Sequence, residues 1–83
     1  MRNPVNFEVM DKHGEPPIRL GAQTYLTVTA QSVPRIGENL ILYINQKKKV
    51  FKVVAVEYIL NPLGTDVYSH YMGYTSVIVE EVL

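Results

Sequence analysis

The sequence predicts an all-β domain, a small barrel or roll of five or six short strands, and three observations carry that prediction. Apolar residues recur at every second position in several stretches, proline and glycine punctuate the chain at short intervals, and no helical period holds over a useful length. β-Branched and aromatic side chains occupy the stretches where a helix would lose side-chain freedom. A sheet of short strands that curls on itself also reduces the exposed edges that would pair with other chains.

Taken in order, Val5, Phe7 and Val9 alternate with Asn6, Glu8 and Met10, the period of a strand with one buried face. Asp11–Gly14 reads as a turn, and Pro16-Pro17 removes two backbone donors, so the chain is loop from Asp11 to about residue 20. Between Ala22 and Val33, Leu26, Val28 and Ala30 share one face while Tyr25, Thr27, Thr29 and Gln31 share the other. Val33-Pro34-Arg35-Ile36-Gly37-Glu38 is a rigid entry to the next strand, with proline presetting φ and glycine permitting the turn. Leu40, Leu42 and Ile44 then alternate with Ile41, Tyr43 and Asn45; apolar groups on both faces place this strand centrally.

Asn45-Gln46-Lys47-Lys48 forms a hairpin connection, and Lys49 begins a return strand whose Val53-Val54-Ala55-Val56 core is apolar on both sides. Such a run points to a curled sheet or an oligomer contact. Asn61–Asp66 breaks the chain with a proline and a glycine. Val67–Tyr74 matches no single pattern, and Thr75–Val82 is a final strand with Val77 and Val79 on one face and Ile78 on the other. No internal repeat or low-complexity segment interrupts this order.

At 83 residues the chain reads as one domain, and a domain of that size buries only about 60–65% of the surface its unfolded chain exposes. With no cysteine, neither disulfides nor thiolate-held metal reinforces so thin a core, and self-association is a remaining remedy. A hydrophobic fraction of 47% is too high for a disordered chain, and charges interrupt every stretch long enough to span a membrane. Eight basic and eight acidic side chains cancel, so no global positive field draws in nucleic acid or an anionic membrane. MRNPVNFEVM carries neither an apolar signal core nor an arginine-rich amphipathic helix, and the expected location is the cytoplasm.

The order Pro34-Arg35-Ile36-Gly37-Glu38, apolar strand, short polar turn, then Val50-Phe51-Lys52-Val53-Val54-Ala55-Val56-Glu57-Tyr58 resembles small SH3-like barrels in short, mostly uncharacterised bacterial and phage proteins. The resemblance covers roughly one third of the chain. It implies a compact binding or assembly module of bacterial or viral origin and transfers no functional residue. The Tyr25–Val33 strand and the tyrosine-rich segment at 67–74 have no counterpart in that pattern.

Tyr68, His70, Tyr71, Met72 and Tyr74 crowd one segment in which no Asp, Glu, Lys or Arg stands between Asp66 and Glu80. Tyrosine joins a rigid apolar ring to one hydroxyl, so a cluster gives contact area at low entropic cost; the competing account is tyrosines stacking across strands to cover a sheet. Gly73 suits a backbone bend or a close approach. Lys47, Lys48 and Lys49 offer phosphate-binding point charges at a hairpin tip, against the plainer account of solvated turn residues that discourage edge pairing. Arg35 is placed to clamp a carboxylate or phosphate, or to pair with Glu38 or Glu57. On a strand, His70 shares a face with Tyr68 while Ser69 shares one with Tyr71, so no Ser-His pair forms locally. His13 between Asp11 and Glu15 matches no metal-ligand spacing and reads as a surface turn, and Glu80-Glu81 as a solubilising end with its two side chains on opposite faces.

These residues predict a non-catalytic binding or assembly module that forms homo-oligomers through its tyrosine-rich surface, with no cofactor, metal or membrane partner. One rival is a protein that binds or sequesters a small nucleotide-like anion, tyrosines stacking on the base while Arg35 or a lysine holds phosphate. Another is a single-stranded nucleic-acid binder, which the neutral net charge disfavours.

Overall fold

The computed structural model describes residues 3–17, 26–64 and 70–82, and places five strands in one sheet. They are β1 (Val5–Asp11), β2 (Leu26–Ala30), β3 (Asn39–Ile44), β4 (Lys47–Pro62) and β5 (Tyr71–Glu81). Their order across the sheet is β2-β1-β5-β4-β3. Every neighbouring pair is antiparallel except β1 and β5, which run parallel and set Val9 beside Val77. No helix occurs among the described residues, so the all-β expectation holds.

One face of the sheet makes the core. Phe7, Val9, Phe51, Val53, Val77 and Val79 are buried, with Leu26, Val28, Ala30, Leu40, Leu42 and Val56 packed partly against them. The period-two reading of β1 and β2 therefore places Phe7 and Val9 opposite Val28 and Leu26 on one side. On the outer face the Thr29 hydroxyl donates to Asn6 Oδ1 across the same strand pair at 2.7 Å. The sheet curls as a half-barrel whose edges, β2 and β3, do not pair. An open cleft of about 280 Å³ separates them, lined by Phe7, Val28, Ala30, Leu40 and Leu42 among others.

The turn into β3 follows its sequence signal, whereas the connection after β3 is shorter than the Asn45–Lys48 stretch expected, because Lys47 and Lys48 already pair with Ile44 and Tyr43 in β4. At the entry to β3 the Glu38 amide donates to the Arg35 carbonyl at 3.0 Å, and Gly37 adopts φ +94°, as the third residue of a type II turn must. After β3, Asn45 (φ 50°) and Gln46 (φ 68°) form a two-residue connection with both residues left-handed, the type I′ geometry that matches the twist of a hairpin.

Three expectations need correction. β3 is an edge strand, not a central one: Ile41 and Tyr43 project from the outer face and are exposed, so apolar character on both faces did not mean cover on both faces. Asn61 does not end the return strand, because β4 continues to Pro62. The segment left unassigned before Thr75 is strand from Tyr71 onward. The Val53–Val56 run has its own cause. The register of β4 against β5 shifts between Val53 and Ala55, a bulge that inserts one residue. Before it odd-numbered side chains point to the core, and after it even-numbered ones do, so apolar residues are required at both parities.

Candidate interaction surface

β4 and β5 outrun their neighbours. β3 accompanies β4 only from Lys47 to Lys52, and β1 joins β5 only from Ser76 to Val79. The remainder, Tyr58–Pro62 paired with Tyr71–Thr75, is a two-stranded arm flanked by no other described strand. The radius of gyration, 14.4 Å, exceeds the about 12 Å expected of a compact chain this long, as a projecting arm requires.

Directly opposed residues of an antiparallel pair share a face. Val56 and Val77 lie on the core face, and the same face continues through Tyr58 with Thr75, Leu60 with Gly73, and Pro62 with Tyr71. The other face carries Ile59 with Tyr74 and Asn61 with Met72. Cover ends where the neighbouring strands end: Tyr58 is 75% exposed, Leu60 61%, Met72 63% and Tyr71 55%. Tyr74 and Leu63 are exposed as well. Gly73 has a defined part in this surface, since a Cβ built there would lie 2.6 Å from Leu60 Cδ2. The Leu60 side chain lies over the glycine, where any other residue would displace it.

Of the residues singled out from sequence, Tyr71, Met72 and Tyr74 stand together on the arm. His70 is exposed at its tip, where its carbonyl accepts from the Leu63 amide at 2.8 Å. Tyr68, like Ser69, Asp66 and Tyr25, lies outside the described residues. Arg35 is at the turn into β3, where its backbone amide donates to Glu38 Oε1 at 2.6 Å. Lys47, Lys48 and Lys49 begin β4, at the end opposite the arm, and Lys49 Nζ lies 3.8 Å from Glu81 Oε1. Within one chain the lysines and the arm tyrosines are therefore separated by most of a 16-residue strand, and a nucleotide-like anion would have to bridge two subunits to meet both.

The other polar candidates are explained by local structure. Asp11 Oδ1 accepts from the amides of His13 (2.8 Å) and Glu15 (3.0 Å), a side-chain turn that closes the loop after β1. Glu80 approaches Lys12 at 3.7 Å, so the Glu80-Glu81 end carries two surface ion pairs. Among the described residues no group of three or more His, Asp or Glu is placed to hold a metal ion.

The sequence reading missed Tyr58, Leu60 and Leu63, the β4 half of the arm. The signal was present: the alternation of the return strand continues past Val56 with no charge after Glu57. No family model, no curated protein and no solved structure matches the chain.

Proposed function

We propose that this protein is a non-catalytic binding and assembly module that associates with copies of itself through the β4–β5 arm. The observation that carries the reading is the core face running past its covering strands onto Tyr58, Leu60 and Tyr71. Isolated exposed apolar residues are ordinary, whereas a contiguous set marks a contact surface. On that one face Tyr58, Leu60 and Tyr71 expose on the order of 400 Å², about half of what one partner contributes to a standard interface, the size of a weak and concentration-dependent contact. A thin core also gains from self-association, because anything that binds the folded chain stabilises it by mass action. The hairpin resemblance supports placing such a module among small accessory proteins of bacteria or phages, and the reading assigns it no cofactor.

Sedimentation equilibrium from about 1 to 500 μM tests this reading, comparing the wild type with Leu60→Ser. Burying a leucine fully contributes about 1.5–3 kcal/mol, and with 61% of Leu60 exposed roughly 1–2 kcal/mol of that is left for association in each protomer. The variant is expected to dissociate about 100-fold more readily while keeping its circular dichroism. A wild type that remains monomeric across the range would reject the reading.

A further inference from the structure

The half-barrel leaves its core open at one place, where the edge strands β2 and β3 part. The cleft there measures about 280 Å³ and is walled by Phe7, Val28, Ala30, Leu40 and Leu42, with Ser32 and Glu38 among its polar lining. Phe7 is buried, but Val28, Ala30, Leu40 and Leu42 are only partly covered although they pack against the core. An apolar cavity of about 150 Å³ holds one benzene, so this cleft has room for about two side chains of that size. Tyr58 and Leu60 are such a pair. They stand two residues apart on the core face of β4, 75% and 61% exposed. Pairing of Tyr58 with Thr75 and of Leu60 with Gly73 holds them in the sheet, and no described residue of the arm lines the cleft of its own chain.

We propose that Tyr58 and Leu60 of one copy enter the β2–β3 cleft of a second copy, and that the second copy returns the same contact. This rests on the arm being the surface of self-association and specifies what the arm meets. Volume, placement and area each point to a second copy as the occupant. The chain carries both the apolar pair and an apolar cleft with room for it. Arm and cleft also open on the same side of the sheet, because Tyr58 and Leu60 continue the core face to which the cleft walls belong. A two-fold axis that turns two core faces toward each other therefore brings each arm to the other's cleft in one closed dimer. Two arms meeting only each other would bury about 800 Å² in total, below the standard size. A cleft and its rim are covered over about as much area as the arm that enters, so two such contacts bury on the order of 1,600 Å², the size of a stable, specific interface.

The test compares wild type, Leu60→Ser, Ser32→Trp and an equal mixture of the two variants by sedimentation equilibrium, with one variant isotope-labelled so that native mass spectrometry separates mixed from matched dimers. Ser32 is exposed and lines the cleft, so tryptophan there obstructs the mouth from outside the core. Each variant alone is expected to dissociate about 100-fold more readily than wild type. A mixed pair keeps one intact arm facing one intact cleft, and mixed dimers should form about 10-fold more tightly than either variant's own. A Ser32→Trp variant that dimerises like wild type, or a mixture that gains nothing, would overturn the exchange of arms while leaving the arm as the contact surface. A dilution series followed by nuclear magnetic resonance on the wild type needs no variant to fold: the methyl signals of Val28 and Ala30 should shift with concentration together with those of Leu60. Shifts confined to the arm would likewise overturn the cleft as its receptor. A wild type that stays monomeric would overturn both this contact and the reading on which it rests.

Discussion

Gln46→Gly should stabilise the protein, and the amount follows from two dihedral angles. Asn45 and Gln46 both hold positive φ, at 50° and 68°. A residue with a Cβ is disfavoured there by about 1–2 kcal/mol, and asparagine tolerates the region better than glutamine because its short side chain bonds locally. Glycine at position 46 removes that steric term but enlarges the unfolded ensemble, a loss of about 0.5–1 kcal/mol. The net gain is about 0.5–1 kcal/mol, and since Gln46 is exposed little packing is lost with its side chain. In a domain of this size 1 kcal/mol moves the melting midpoint by about 4–8 °C, so a rise of about 2–8 °C is expected. Thermal unfolding followed by circular dichroism reads it, at one fixed protein concentration because association also raises the midpoint. Asn45→Gly is the internal control and should gain less. An unchanged or lowered midpoint for Gln46→Gly, with the larger gain at position 45, would refute the two-residue turn and with it the pairing of Ile44 to Lys47. The turn lies at the end of β4 away from the arm, so self-association at matched temperature should not change.

Two further outcomes bear on the core and on the arm. Val77→Ala empties a fully buried site between Val9 and Val56 and should cost roughly 2–3 kcal/mol, measured by urea unfolding. Association should be nearly independent of salt between 0.05 and 0.5 M in sedimentation runs, because the exposed apolar side chains of the proposed contact carry no charge. A steep loss of affinity over that range would instead mark ion pairs between the copies, which salt screens.

Much of the sheet was legible because burial on one face writes a period of two into the chain. Phe7 and Val9, or Leu26 and Val28, declare their common face without reference to any other strand. Periodicity does not reveal neighbours. Nothing in the spacing of Val77 and Val79 says that β5 pairs with β1, since a parallel pairing of distant segments leaves no mark in local composition. The same limit misplaced β3, where Ile41 and Tyr43 look like residues awaiting a second layer but form an apolar patch on the outer face. The bulge at Val54 was visible only as unexplained apolarity at both parities, because its cause is a register shift against another strand. The tyrosine-rich segment was recognised by composition, but its β4 counterpart was not, because Tyr58 and Leu60 continue the core pattern without a break. Local sequence records which side of a strand is apolar; where the cover stops depends on the lengths of the strands beside it.

The central position of β5 has a consequence for how the chain acquires its fold. β5 lies between β1 and β4, and without it the described strands fall into two separate pairs, β1 with β2 and β3 with β4. During synthesis, at about 5–20 residues per second, both pairs can form early, but each presents valines, Val9 and Val53, to water until Val77 and Val79 emerge. The parallel pairing of Met10 with Ile78 closes a loop spanning most of the chain, the kind of distant contact that slows folding. β5 is thus made after every other described strand of the sheet that it unites.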